Sequence, residues 1–135
     1  MSNEELWKRM SSLYYAKRVG EALSHWADNA RWEAAYPVEG LPAVVEGREA
    51  LTQMFAALVS AAENVEVHDV RFHQTADPDV AFVEERMVID LVGGGGYENR
   101  IAMRVTFRDG QIAEMLEYAD PRETQALLDS LAVVA

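Results

Sequence analysis

The stretch Tyr97–Asp120, YENRIAMRVTFRDGQIAEMLEYAD, decides the fold. Asp109-Gly110 sits between two runs of near-strict alternation. That dipeptide favours a two-residue hairpin turn, in which both central residues need positive φ. In the first arm Ile101, Met103, Val105 and Phe107 share one face, and Arg100, Arg104, Thr106 and Arg108 share the other. This is the pattern of a half-buried strand. The second arm carries two carboxylates, Glu117 and Asp120, among Met115, Leu116 and Tyr118. A carboxylate in such company lies either at the wet edge of the sheet or in a pocket that raises its pKa.

Upstream, Val65–Thr75 and Asp79–Val92 read as two more strands. Asp77-Pro78-Asp79 turns the first pair and the glycine run 93–96 joins the second, so the four strands form an antiparallel meander. Ahead of them the pattern is mainly helical. Ser2-Asn3-Glu4-Glu5 has the spacing of a capping box, and the helix it opens runs to about Arg18–Gly20. A short helix over Glu21–Ala27 ends at Asp28-Asn29. Ala30–Tyr36 and Ala43–Glu46 are short strands, and from Gly47 a helix presents Leu51, Met54, Phe55, Leu58, Val59 and Ala62 on one stripe. Asp120-Pro121 starts a terminal helix carrying Ala126, Leu127 and Leu131. The order predicts an α+β fold with a curved antiparallel sheet wrapped around the N-terminal helices, a cone open at one end. One domain over residues 1–135 is expected, with no repeat or linker.

Composition narrows the function. The formal net charge of −11 argues against nucleic acid and against an anionic membrane surface. No apolar run approaches a membrane span, MSNEELWKRM lacks the apolar core of a signal peptide, and there are no cysteines, so a cytoplasmic protein is expected. Without Cys or a Gly-x-Ser-x-Gly elbow, covalent catalysis has no obvious agent. His25, His68 and His73 have no partner at metal-ligand spacing, and no metal or other cofactor is expected. His73 is better placed at a surface than as a base. The glycines at 93–96 lead into a strand rather than a helix, which suits a hairpin tip and not a phosphate cradle.

Three carboxylates are catalytic candidates. Glu117, walled by Met and aromatic side chains, has the setting that tunes a general acid or base towards neutral pH. Asp120 is both a candidate and a helix cap. Glu85 shares strand parity with Val83, Met87, Ile89 and Leu91, so it intrudes into the cone if that face points inward. A β-bulge would instead bring Glu84 and Arg86 inside. For the binding wall, Tyr14, Trp32 and Tyr36 are candidates to stack on a planar ligand at the mouth, with Phe72 as a further aromatic. Met54, Met87 and Met103 would make the pocket adaptable, and Leu58 would make its floor apolar.

The joint order of five pieces resembles the nuclear transport factor 2-like superfamily, which includes ketosteroid isomerase and the SnoaL-like polyketide cyclases. Within it the phenazine-biosynthesis A/B family is most similar. The pieces are Gly47-Arg48-Glu49-Ala50-Leu51, Asp77-Pro78 with Phe82 and Glu84, Glu98-Asn99, Asp109-Gly110-Gln111-Ile112 and Glu117-Tyr118-Ala119-Asp120-Pro121. The resemblance implies a cone-shaped fold, a homodimer through the outer sheet face, and a small-molecule pocket inside. It also implies acid–base chemistry with Glu117 at the position of a last-strand glutamate. A helix histidine and a serine of the phenazine pattern fall on Met54 and Leu58, which implies a more apolar substrate. The reading is a cofactor-independent isomerase, cyclase, dehydratase or condensation enzyme acting on a small, largely apolar carbonyl compound of secondary metabolism. Two other readings stand beside it. One is a non-catalytic binding or dimeric partner module. The other is a limonene-type epoxide hydrolase, which would need Arg86 or Arg104 inside the cone.

Overall fold

A computed structural model describes residues 1–134. The elements run α1 (Asn3–Tyr15), α2 (Val19–Leu23), β1 (Trp26–Ala34), β2 (Val44–Glu46), α3 (Arg48–Ser60), β3 (Ala62–Gln74), β4 (Val80–Leu91), β5 (Gly96–Arg108), β6 (Gln111–Ala119) and α4 (Pro121–Val134). The six strands make one sheet in the order β2-β1-β6-β5-β4-β3, curved and unclosed. The expected meander is there as β3 to β6. Asp109 and Gly110 take φ of 52° and 72°, as the two-residue turn requires. The capping box of α1 is also in place. The Glu5 N–H donates to Ser2 Oγ at 3.1 Å and the Ser2 N–H donates to Glu5 Oε2 at 3.2 Å.

Several boundaries depart from the expectation. The first helix stops at Tyr15, because Lys17 turns into the left-handed region at φ 65°. The second ends at Leu23, and Trp26–Asn29 belong to β1 instead. Tertiary pairing overrides the local helical pattern here, since the Ile112 N–H donates to the His25 carbonyl and Trp26 lies opposite Ile112. β1 ends at Ala34, before Tyr36. It runs parallel to β6, so the sheet contains one parallel pair where only antiparallel pairs were expected. Ala62 is the first residue of β3, not the end of the α3 stripe.

Two bulges set which side chains face inward. On β3, His68 pairs Arg86 but Arg71 pairs Glu84, so β3 carries one extra residue, with Asp69 at φ 56°. The extra residue switches parity. Val65 and Val67 face the same side as Phe72, and all three lie against inward residues of β4, while the strand gains local bend. On β6, Phe107 pairs Ile112 but Thr106 pairs Glu114, so Ala113 is the extra residue. Beyond it Met115, Glu117 and Ala119 stand on the core face, opposite Val105, Met103 and Ile101.

The core lies between this concave face and the helices, around Leu6, Trp7, Leu23, Trp26, Leu51, Val83, Val105 and Ile112. α4 closes the open end. Buried Asn99 ties it down, with Nδ2 donating to Tyr97 Oη at 2.8 Å and to the Asp120 carbonyl at 3.1 Å, while Oδ1 accepts from the Asp120 N–H at 3.0 Å. Leu127, Leu128 and Leu131 then face inward, whereas Ala126, expected on that stripe, is exposed. Among the described residues no helix is long and apolar enough to cross a membrane.

Asn99→Ala should destabilise the chain by about 1–3 kcal/mol, because the Asp120 backbone groups lose their partners. Urea unfolding is the measurement, and a loss under about 0.5 kcal/mol would show that Asn99 does not anchor the helix.

Candidate active site

The interior of the cone holds two adjoining cavities. The upper one, about 90 Å³, lies under α4, between α3 and the sheet. The deep one, about 50 Å³, is walled by Trp7, Met10, Ser11, Tyr14 and Tyr15 of α1, Leu23, Trp26, Phe55, Met103 and Met115. Tyr14, Phe55, Met87 and Glu117 belong to both walls and mark the neck between them.

Glu117 reaches this neck because the Ala113 bulge turns it inward. Its carboxyl has no hydrogen-bond partner among the described residues. Burial raises its pKa to about 7, with a further upward push from the charge of Glu85. Glu85 lies across β5, on β4, offset from Glu117 by one inward position. It is opposite Ile101, while Glu117 is opposite Met103. The face assignment made from strand parity holds, since Ala81, Val83, Glu85 and Leu91 are all buried. Glu85 is 6% exposed. Its Oε1 accepts a 2.5 Å hydrogen bond from Tyr15 Oη, and its buried Oε2 has no partner among the described residues. Burial raises the Glu85 pKa and the Tyr15 bond opposes that rise. Tyr14 and Tyr15 are pushed upward chiefly by burial and then by the neighbouring carboxylates, so both keep their protons.

Arginine is missing from both cavity walls. Arg86 lies on the outer face with Asp69 and Glu98, at 3.4 and 2.9 Å, and Arg104 is exposed. The epoxide hydrolase reading needs Arg86 or Arg104 inside the cone, and neither lines either cavity. Among the described residues no group of three His, Cys, Asp or Glu side chains is gathered as a metal site would need. His73 is an outer-face residue 2.7 Å from Glu84.

Of the expected wall, Tyr14, Trp32, Met54, Leu58 and Met87 line the upper cavity or the neck, and Met103 lines the deep one. Three candidates lie elsewhere. Tyr36 follows the end of β1, is 57% exposed and packs edge-on against Tyr118 at 6.1 Å, at the rim of an outer groove. Phe72 packs against the core beside Phe107, at 6.5 Å, and touches neither cavity. Asp120 lies outside the cavities as the cap of α4. Its carboxylate accepts from the Arg122 N–H at 2.9 Å and from the Arg122 guanidinium, which hold its pKa below the usual carboxylate range. Tyr15 was missed by sequence reasoning. With Trp7, Ser11 and Tyr14 it completes an i, i+4, i+7, i+8 stripe on α1, which was the available signal.

Comparison with known proteins bears on the fold. A family model described as a SnoaL-like domain matches residues 7–115. Among curated proteins none matches the sequence. A Bacillus subtilis protein described provisionally as an isomerase superposes with a TM-score of 0.82 at 19% identity, over 90% of this chain and 88% of that one. A phenazine biosynthesis-related protein from Pseudomonas aeruginosa gives 0.73 at 16% identity, over 88% and 82%. A protein of ketosteroid isomerase-like fold from Catenulispora acidiphila, crystallised with trimethylamine, gives 0.75 at 15% identity, over 93% and 92%. At these identities the structural likeness shows the fold. The family match, covering most of the chain, goes further: this protein belongs to the SnoaL-like domain family, with the nuclear transport factor 2-like, ketosteroid isomerase-like fold.

Proposed function

We propose that the chain is a cofactor-independent acid–base enzyme acting on a small, largely apolar carbonyl compound, with Glu117 as the proton carrier. The observation that carries this reading is Glu117 itself, an unpaired carboxyl at the neck of an apolar cavity, with its pKa raised to about 7. A group with that pKa divides evenly between acid and base near neutral pH, which suits it both to take a proton beside a carbonyl and to return it. A carbonyl oxygen seated towards the deep cavity would find Tyr14 and the protonated form of Glu85, whose Oε1 accepts the Tyr15 hydrogen bond, as donors for developing negative charge. Isomerisation, cyclisation, dehydration and condensation all use this step. The small cavities favour a compact substrate, and a neighbour of the same fold that holds trimethylamine is a precedent for a small occupant. We also read the protein as a homodimer through the outer sheet face. A groove of about 760 Å³ runs there, its wall carrying Arg71, Arg86 and Arg100 beside Asp69 and Glu84, and the same face exposes Phe82. Charges of both signs on one face suit a self-complementary contact.

Deuterium exchange at the carbon beside the carbonyl of isopropyl methyl ketone, followed by NMR without added cofactor, should be catalysed. It should slow by about a hundredfold or more in Glu117→Gln. Binding of the ketone without exchange would make the cone a binding module. The stability of the fold should also carry the mark of Glu117. Its folded pKa of about 7 lies above the unfolded value of 4.5, so the native state holds the extra proton between them and stability falls as pH rises through that window. Glu117→Gln should therefore gain more stability over the native chain at about pH 8 than at about pH 5 in urea unfolding. An equal difference at both pH values would remove the raised pKa. For the assembly, sedimentation at micromolar concentration should give a dimer mass, shifted towards monomer by Arg100→Glu. A native monomer would remove the proposal.

A further inference from the structure

Two carboxyls share the interior of the cone, and no basic residue lines its two cavities. The titratable groups on the cavity walls are Tyr14 and Tyr15 from α1, Glu85 from β4, Tyr97 from β5 and Glu117 from β6; α2, α3, α4 and β1 contribute none. On the outer face, Arg71, Arg86 and Arg100 share the groove wall with Glu85, and Arg86 is paired there with Asp69 and Glu98. Lys17 Nζ donates to the Ala62 carbonyl at 2.6 Å and to the Glu63 carbonyl at 3.0 Å, and Arg31, Arg48, Arg86 and Arg122 are each paired with carboxylates outside the cavities. Glu123 acts on Tyr97 from outside and adds only further negative charge. An ionised Glu85 or Glu117 would thus stand in an apolar space with no compensating charge, an arrangement proteins avoid unless a ligand completes it.

Glu85 adds a second, independent sign. It is nine-tenths buried and on the wall of the deep cavity, yet Oε2 has no partner. The rest of the wall is suited to a positive occupant. Tyr14, Phe55, Trp26, Trp32 and Tyr97 supply aromatic rings, whose π faces attract cations most strongly where water is excluded.

We propose that the cone binds a small organic cation, a protonated or quaternary amine, held between Glu85 and Glu117 against the aromatic wall. This rests on the reading of the cone as a small-molecule site and narrows its ligand class to amines. The cation supplies the charge that the protein withholds, and on binding it favours the ionised form of Glu117, which gives up its one proton to solvent.

The test uses two probes of similar size on the full chain, the tetramethylammonium ion and neutral isopropyl methyl ketone, titrated by calorimetry. Because Glu117 ionises at about 7, affinity for tetramethylammonium should rise about tenfold between about pH 6 and about pH 8. Affinity for the ketone should not rise. Glu117→Gln should remove the pH dependence, and Glu85→Gln should weaken the cation by about tenfold or more. If either variant fails to fold, the native pH series decides alone. Ketone binding with no tighter or pH-dependent binding of the cation would overturn the amine proposal and leave the proton-transfer reading standing. Failure of both probes to bind would overturn the two together.

Discussion

β6 has one residue more than the straight pairing with β5 can use. Phe107 faces Ile112 next to the Asp109-Gly110 turn, and Met103 faces Glu117 further along, so Ala113 is taken up as a bulge. Without it the alternation begun at Ile112 would carry Glu114, Leu116 and Tyr118 inward and leave Glu117 in solvent, since a one-residue slip exchanges the two faces of a strand. The chemistry of the interior depends on that single insertion. The bulge on β3 at Asp69 does the complementary work on the far edge, keeping Val65, Val67 and Phe72 on the concave side while bending the strand towards α1. An aspartate tolerates the left-handed conformation there better than most residues would.

Bringing Glu117 inside is costly, and the fold offsets only part of the cost. The Tyr15 hydroxyl satisfies one oxygen of Glu85, but no donor meets Oε2 or the Glu117 carboxyl. Burial raises the pKa of both, and the charge of Glu85 adds to the reluctance of Glu117 to ionise. A core built for stability alone would place apolar side chains at both positions, as it does at Val83 and Met115 beside them. The indole N–H groups of Trp7, Trp26 and Trp32 are likewise buried without partners. Unsatisfied polar groups inside an otherwise well-packed core are commoner at a binding or catalytic site than in a purely structural interior.

Much of this architecture was legible in the sequence because it is written in local rules. The Asp109-Gly110 turn, the Ser2–Glu5 capping box, the strand alternation of β5 and the inward parity of Glu85 each follow from a few neighbouring residues. What local rules cannot carry is long-range pairing. Trp26 sits in a helical pattern yet joins β1, because Ile112, far along the chain, offers it a partner. Tyr36 and Phe72 have the side chains of a binding wall, but one lies past the end of its strand and the other is on the flank of the core away from the cavities. Asp120 carries a carboxylate next to a helix start, and the hydrogen bonds to Arg122 settle it as a cap. The Ala113 bulge left no mark in the alternation. Ile112, Met115 and Glu117 have mixed parity, which is the trace a bulge leaves only once its partner strand is known.

The size of the site is set by an element remote from the carboxyls. Leu127, Leu128 and Leu131 of α4 form the ceiling of the upper cavity, and α4 holds its place through Asn99 and the cap at Asp120. The resulting space of about 90 Å³ is smaller than the roughly 150 Å³ of an apolar cavity known to take benzene. The deep cavity extends it only past the neck at Tyr14, Phe55 and Glu117. An occupant of the upper space therefore meets Glu117 before anything else polar except Tyr14, Tyr97 and Thr124, and a larger one must displace α4. Catalytic reach and ligand size are thus governed by different parts of the chain. The β6 bulge places Glu117, and the Asn99 anchor sets how much can be brought to it.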